Sequence, residues 1–146
     1  MPSVNRTALL PYSCRQMYDV VNDVEAYPSF LKWCERATVL QHGERELKAR
    51  LTLAKGPVRQ SFVTANTMVP EREIRLRLEE GPFRFLTGLW RFEPVGDETA
   101  GGCEVSLHLE FEFKRGLINR TFGQVFDPIS NTLVDAFCQR VRELYG

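Results

Sequence analysis

The sequence predicts an α+β fold in which a curved antiparallel sheet of about seven strands wraps around one long C-terminal helix. Two observations carry this prediction. In residues 103–113 apolar and polar residues alternate strictly, which is typical of a strand with one buried face. In residues 118–144 apolar residues recur every three or four positions, which indicates a single helical stripe. Because each element is apolar on one side only, we expect the two to pack against each other.

Six further strands and two short helices complete the predicted order. Residues 3–10 form the first strand. Ser13 and Gln16 then have the spacing of a capping box, which starts a helix that runs to about residue 22. Asp23 is expected to cap a second short helix. Consecutive extended segments separated by Gly and Pro residues predict an antiparallel meander with one wet side. Its strands are expected at 35–42, 45–54, 58–68, 72–79, 85–94 and 102–113, with the last break at 96–102.

Pro128, which follows Asp127, interrupts the C-terminal helical pattern. Either the helix kinks there, or a short helix ends near Phe126 and a longer one begins, because Asp-Pro also suits a helix start. The apolar stripe continues on both sides of the proline, which favours the kink. A sheet that wraps around one long helix in this way is a helix-grip arrangement.

Length and composition indicate one globular domain over residues 1–146. The 19 basic and 19 acidic residues cancel, which argues against DNA binding through bulk charge but leaves room for a local basic patch. The four cysteines show no metal-ligand spacing and are expected to be free or buried thiols. The sequence shows no signal peptide and no membrane span. We therefore predict a cytoplasmic protein that contacts the inner membrane surface only peripherally and transiently.

No group of residues predicts catalysis, a metal site or a cofactor. His42 lies in a turn, and His108 lies on a polar strand face that holds no second histidine or thiolate. Phosphate-binding, dinucleotide-binding and nucleophile-elbow motifs are missing. A cyclase or dehydratase would need an acid or base inside its pocket, so we predict a protein that is not an enzyme. The polar candidates for such a role, which have no evident partner, are Tyr18, Thr64, Asn66 and Asp127.

The aromatic residues favour an apolar cavity instead. Individually they suit an ordinary core, but together they suit an elongated cavity of roughly 300–1,000 Å³ between helix and sheet. Such a cavity needs few polar groups. The residues expected to contact a hydrophobic ligand are Tyr27, Phe30, Trp33, Phe83, Leu86, Trp90, Phe111, Phe122, Phe126, Ile129, Leu133 and Phe137.

Outward-facing basic residues on the strands form a second candidate site. A basic half-sheet would meet RNA phosphates with a steep salt dependence. The alternative is an ordinary solvated face of mixed charge. The basic residues are Lys48, Arg50, Arg75, Arg77 and Arg91, with Arg59 nearby, and the opposite edge carries Glu104, Glu110 and Glu112.

Five short segments, spread over nearly the whole chain, match the motifs of a known family in the same order. The segments are Pro11-Tyr12-Ser13, Tyr27-Pro28-x-Phe30-Leu31-x-Trp33-Cys34, Gly81-Pro82-Phe83-x-x-Leu86-x-Gly88-x-Trp90-x-Phe92, Leu109-x-Phe111-Glu112-Phe113 and Ala136-Phe137-x-x-Arg140 through Tyr145-Gly146. Together they resemble the coenzyme Q-binding START-like family. One position departs from the family pattern, since Lys32 stands where proline is usual.

The resemblance implies a START or Bet v 1-like helix-grip fold. It implies a polyprenyl quinone such as ubiquinone as ligand, held by a carrier or chaperone that supports respiration. It also implies an alternative, because bacterial members include ribosome association toxins that bind the large ribosomal subunit and block subunit association. The basic set would then face the ribosome. A third label in the family, polyketide cyclase, is shared with fold relatives, and a fold does not fix a function.

Overall fold

The computed structural model describes residues 3–96 and 101–146, except the side chains of residues 117 and 118. Seven strands form one antiparallel sheet in the order β1-β7-β6-β5-β4-β3-β2. This confirms the predicted meander, and each predicted strand end lies within two residues of the observed one. The predicted break at 96–102 falls partly outside the described residues. The strands are β1 Ser3–Leu10, β2 Cys34–His42, β3 Glu46–Lys55, β4 Val58–Val69, β5 Glu73–Glu80, β6 Phe83–Val95 and β7 Gly102–Phe113.

The alternation in β7 produces the expected two faces. Cys103, Leu107 and Phe111 are almost completely buried, whereas Glu104 and His108 are exposed. β7 pairs with β1 on one side and with β6 on the other. The inner face of this three-strand unit therefore supplies a large part of the core.

Two short helical segments follow β1, as the sequence predicts. α1 spans Cys14–Asn22, and a 3₁₀ helix spans Val24–Ser29. The capping box of α1 is present: Gln16 N donates to Ser13 Oγ over 3.1 Å, and Ser13 N donates to Gln16 Oε1 over 3.0 Å. The cap predicted at Asp23 is wrong, because its side chain makes no capping hydrogen bond. Asp23 N instead donates to Asp19 O, so this residue closes α1.

The single C-terminal helix predicted from the stripe is two helices. α2 spans Leu117–Ser130 and α3 spans Leu133–Tyr145. Pro128 therefore lies inside α2, and the helix is interrupted three residues later, at Asn131. One continuous kinked helix is therefore wrong, and the alternative of two helices is confirmed except that the first ends at Ser130 and not near Phe126.

Side chains at the junction explain where the break falls. Ser130 Oγ and Asn131 Nδ2 both donate to Asp127 O, over 2.7 and 3.0 Å. Thr132 Oγ1 donates to Ile129 O over 2.8 Å. These polar side chains occupy carbonyls that backbone N–H groups of the next turn would otherwise use. The helix therefore ends at the Ser-Asn-Thr run. The spacing of apolar residues could not predict this end, because it depends on hydrogen bonds from polar side chains.

The core lies between the inner face of the sheet and the helices. Its fully buried side chains include Met17, Phe83, Phe92 and Phe122. All four cysteines are free and buried, as predicted. Within the described residues no helix combines the length and apolar character that crossing a bilayer requires.

Candidate ligand cavity and basic surfaces

An apolar cavity of about 90 Å³ lies between the inner face of the sheet and the helices. Strands β3 to β7 form one side of it, and α1, the 3₁₀ helix, α2 and α3 form the other. This is the position that the sequence predicts for a cavity. The wall consists of Val21, Val24, Tyr27, Leu31, Trp33, Ala49, Leu51, Phe62, Thr64, Asn66, Ile74, Leu76, Leu86, Trp90, Leu109, Phe126, Ile129, Leu133 and Phe137.

The cavity is much smaller than the sequence predicts. Apolar cavities of about 150 Å³ are needed to hold one benzene ring, and typical ligand pockets exceed about 300 Å³. The expectation of an elongated cavity of that size is therefore wrong for this conformation. Large side chains that point inward from both layers, such as Trp90 and Phe137 with ring centroids 5.2 Å apart, fill most of the interior.

The structure places the twelve predicted ligand residues in two groups. Those in the cavity wall are Tyr27, Trp33, Leu86, Trp90, Phe126, Ile129, Leu133 and Phe137. Those away from the wall are Phe30, Phe83, Phe111 and Phe122. The last four do not line this cavity, and ligand contact for all twelve stays a prediction.

Three of these four residues, Phe83, Phe111 and Phe122, belong to an aromatic cluster beneath α2. Phe83 packs edge-to-face against Phe122 at 5.4 Å and against Phe126 at 5.0 Å. Phe111 packs against Phe126 at 5.1 Å. Only Phe126 reaches the cavity, so the other rings stabilise the packed end of the core behind it.

Phe30 contacts the wall residue Phe137 without lining the cavity itself. Its ring centroid is 5.4 Å from that of Phe137, and the Arg140 guanidinium lies over the Phe30 ring, 5.1 Å from its centroid. This cation–π contact holds Phe30 at the surface of α3.

The described part of the wall has few polar groups and no charged side chain. Tyr27 donates its hydroxyl to the Val21 carbonyl, and burial raises the pKa of this phenol well above its ordinary value. Thr64 and Asn66 on β4 line the cavity, as the sequence placed them, but Tyr18 and Asp127 do not. Leu51 and Leu76 also line the cavity and were not among the predicted ligand residues, although the alternation in β3 and β5 shows that they face inward.

Trp33 and Ile129 separate the cavity from a surface groove. Both residues line the inner cavity and also an outer groove of about 350 Å³. Lys32, at the position where proline is usual, lines this groove together with Lys55. A molecule that enters the cavity here would pass between an indole and an aliphatic side chain beside two lysines.

The basic set predicted on the sheet is largely paired with carboxylates. Lys48 and Arg77 both reach Glu79, over 3.4 and 3.6 Å, and Arg75 reaches Glu73 over 3.3 Å. Arg59 pairs with Glu35 over 2.6 Å. Arg50 and Arg91 are exposed and have no carboxylate partner among the described residues. The predicted half-sheet is therefore a face of mixed charge.

A different basic group lies where β7 meets α2. Lys114, Arg115 and Arg120 are exposed and have no ion-pair partner within residues 3–96 and 101–146. All three line an open groove of about 490 Å³ together with Phe113 and Gly116. We call Lys114, Arg115 and Arg120 the basic corner. Sequence reasoning missed it, although the Lys-Arg pair after β7 was visible.

The outer face offers no clustered metal ligands. His108 contacts Asn5 Oδ1 over 2.5 Å and Glu110 Oε1 over 3.1 Å on the wet side of the sheet. The described part of the chain has no group of three or more His, Cys, Asp or Glu residues placed to hold a metal.

Curated relatives match the chain over its whole length. The ribosome association toxin RatA of Pseudomonas aeruginosa is 45% identical over 143 residues, which cover 98% of this chain and 97% of that protein. RatA of Escherichia coli is 39% identical over 146 residues, covering 100% of this chain and 90% of that protein. The mitochondrial coenzyme Q-binding protein COQ10 homolog B of Xenopus laevis is 30% identical over 143 residues, covering 97% of this chain but 59% of that protein.

Solved structures confirm the helix-grip fold. A Thermus thermophilus protein superposes with a TM-score of 0.82 at 19% identity, covering 99% of this chain and all of that one. The Zhui aromatase/cyclase from a Streptomyces species superposes with a TM-score of 0.79 at 16% identity, covering 97% and 93%. At these identities the likeness establishes the fold alone.

The family match covers most of the described sheet and helices. Residues 10–138 match the family described as polyketide cyclase/dehydrase and lipid transport. Together with the full-length relatives, this match shows that the chain belongs to the polyketide cyclase/dehydrase and lipid transport family.

Proposed function

We propose that this protein acts on ribosome association, by binding the large ribosomal subunit and blocking its union with the small subunit. The observation that carries this proposal is the 45% identity, over 98% of the chain, to a protein named ribosome association toxin. The coenzyme Q-binding relative is less similar and contains much sequence outside the matched region. A protein with this role would work in the cytoplasm, where ribosomes are.

The basic corner is the surface that we expect to meet ribosomal RNA. Its three cations have no carboxylate among the described residues to offset them, whereas Lys48, Arg75 and Arg77 each have one. An RNA phosphate would therefore gain more from the corner than from most of the sheet face. Arg50 and Arg91 are the predicted sheet residues that keep a free charge.

Ribosome profiles test the proposal in cells. After overexpression, cell extracts are separated on sucrose gradients, and an equal level of the Streptomyces cyclase serves as a control for the fold. We expect intact ribosomes to fall, free subunits to rise, and the protein to appear in the large-subunit fraction. An unchanged share of intact ribosomes, with the protein at the top of the gradient, would rule the proposal out.

The cavity favours a second function, the binding of an apolar ligand such as a polyprenyl quinone. The wall residues that the structure describes carry no carboxyl, imidazole or thiol, which supports binding rather than catalysis. Because its volume is about 90 Å³, a quinone ring would enter only if the wall moved, and Trp33 and Ile129 stand where movement would open it to the groove. A bilayer solvates a prenyl tail as well as this wall does, so exchange of the ligand suits the site better than storage.

Mass spectrometry tests the second function. Organic extracts of the purified protein are analysed for prenyl lipids, and uptake of added short-tail ubiquinone is followed by tryptophan fluorescence, since both Trp33 and Trp90 line the cavity. We expect a prenyl lipid in the extract or saturable quenching. Absence of both would remove the quinone from consideration.

A further inference from the structure

The cavity wall contains a buried polar side chain without a hydrogen-bond partner. Asn66 is 7% exposed, and its Oδ1 atom is buried with no hydrogen-bond donor in reach among the described residues. Its cross-strand neighbours are Leu47 on β3 and Leu76 on β5, whose side chains cannot form hydrogen bonds. Buried amides in native proteins are nearly always paired. A lone amide among leucines therefore needs an explanation.

Thr64 presents a second free polar group to the same cavity. It precedes Asn66 by two positions, so both side chains point to the inner face of β4. Thr64 is 6% exposed, and no described residue forms a hydrogen bond with its hydroxyl. The other hydroxyl among the described wall residues, that of Tyr27, already donates to the Val21 carbonyl. Among the hydroxyl and amide side chains of the described wall, Thr64 and Asn66 are therefore the ones that remain available.

The rest of the wall limits what these two residues can bind. None of the described residues that line the cavity is charged, so a carboxylate, phosphate or ammonium group would have no counter-ion among them. Aromatic and aliphatic side chains, such as Trp90 and Leu86, surround the remaining space. A pure hydrocarbon would suit them but would leave Asn66 unpaired.

We propose that Asn66 and Thr64 form a polar seat for an uncharged ligand that carries a hydroxyl or carbonyl oxygen on an apolar body. The Asn66 amide donates to the ligand oxygen, Asn66 Oδ1 accepts from a ligand hydroxyl, and the Thr64 hydroxyl can do either. This inference rests on the proposed apolar ligand of the cavity. It adds the chemical group by which that ligand is recognised.

Two small probes test the seat separately from the cavity. Xenon reports on apolar space alone, and 1-butanol has an apolar chain and one hydroxyl. Both are titrated by NMR into the wild-type protein and into Asn66→Leu, which matches the neighbouring leucines. We expect 1-butanol to bind Asn66→Leu roughly three- to tenfold more weakly, the effect of one neutral hydrogen bond. Xenon affinity should be unchanged.

A pair of threonine variants provides the matched control. Thr64→Val removes the hydroxyl from the cavity, whereas Thr52→Val removes an equally buried hydroxyl on β3 that bonds Ser61 Oγ over 2.8 Å outside the cavity. We expect Thr64→Val to weaken 1-butanol binding and Thr52→Val to leave it unchanged. Equal binding of 1-butanol to wild type, Asn66→Leu and Thr64→Val would overturn the polar seat while leaving the cavity ligand in place. If neither xenon nor 1-butanol binds wild type, the cavity ligand itself fails.

The wild-type protein gives a readout that does not depend on variant folding. The side-chain amide resonances of Asn66 should shift as 1-butanol is added. Those of Asn22, whose buried Oδ1 also has no partner but which lies outside the wall, should stay in place. Equal shifts, or none at Asn66 while xenon binds, would contradict the seat.

Discussion

At the scale of single residues, burial decides the chemistry of the interior. Burial raises the pKa of the Cys34 thiol from its ordinary 9.0 to about 11, and it also raises the pKa values of Cys103 and Cys138. Cys14 Sγ and Cys103 Sγ lie 2.8 Å apart, which links the start of α1 to β7. All four thiols are buried core residues, in agreement with their spacing in the sequence.

The raised pKa of Cys34 predicts how stability depends on alkaline pH. The folded state holds the proton more tightly than the unfolded state, so this contribution is complete below pH 9 and is lost as pH rises towards 11. Cys34→Ala should therefore lose less unfolding free energy than wild type over this range, by about 3 kcal/mol or less. Urea unfolding at a series of pH values measures it. Parallel curves for the two proteins would contradict this assignment.

The sequence predicted the orientation of single residues better than their depth. Phe126 and Phe122 belong to the same helical stripe, but only Phe126 reaches the cavity. The spacing of apolar residues predicts which face of a helix is buried. It does not predict which of the buried residues lie beside the cavity. Asn66 and Thr64 were visible as inward polar residues, yet only the structure shows that neither has a partner.

At the scale of elements, the strands could be predicted because two independent signals, the alternation of apolar residues and the Gly and Pro residues between strands, indicate the same strand boundaries. The C-terminal helices could not, because the interruption depends on side-chain hydrogen bonds from Ser130, Asn131 and Thr132. Pro128, at which the sequence predicts the interruption, lies inside α2. Polar competition for carbonyls here outweighs the single missing N–H of the proline.

Two glycines in neighbouring strands predict different costs for the same substitution. In Gly88→Ala the new methyl would meet Leu109 Cδ2 at 2.6 Å, the end of a side chain that can turn into the cavity. In Gly102→Ala it would meet the backbone carbonyl oxygen of Leu10, which is held by β1–β7 pairing. We expect about 1 kcal/mol of destabilisation for Gly88→Ala and about 3 kcal/mol for Gly102→Ala.

Urea denaturation of both variants checks this ranking. Gly88→Ala should also bind xenon more weakly than wild type, because Leu109 and Leu76 line the cavity and would be displaced into it. Gly102→Ala, whose strain lies outside the wall, is the control for xenon binding. The assignment fails if Gly102→Ala is the milder of the two.

At the scale of the whole molecule, a formal charge of zero conceals an uneven surface. Glu79 neutralises both Lys48 and Arg77, which lie on strands separated by β4. Such pairs depend on cross-strand register, so the sequence could name the cations but not their partners. The basic corner escaped prediction for the same reason, because only the structure shows which cations stay unpaired.

The two proposed functions use different parts of the molecule and can be separated. The cavity lies between the inner face of the sheet and the helices, and the basic corner lies at the C-terminal end of β7. Variants of Asn66 should leave ribosome binding intact, and variants of the corner should leave xenon binding intact. The ribosome proposal is the central one, because it rests on full-length similarity.

Reassociation of purified ribosomal subunits tests that proposal most directly. Light scattering follows the joining of large and small subunits with wild-type protein, with Lys114, Arg115 and Arg120 all changed to Ala, or with Lys48, Arg75 and Arg77 all changed to Ala. The two triple variants lose the same charge. We predict that wild type and the sheet variant block joining, and that the corner variant needs at least about tenfold more protein, with a weaker dependence on salt. Subunits that join at the same rate with and without saturating wild-type protein would contradict the account.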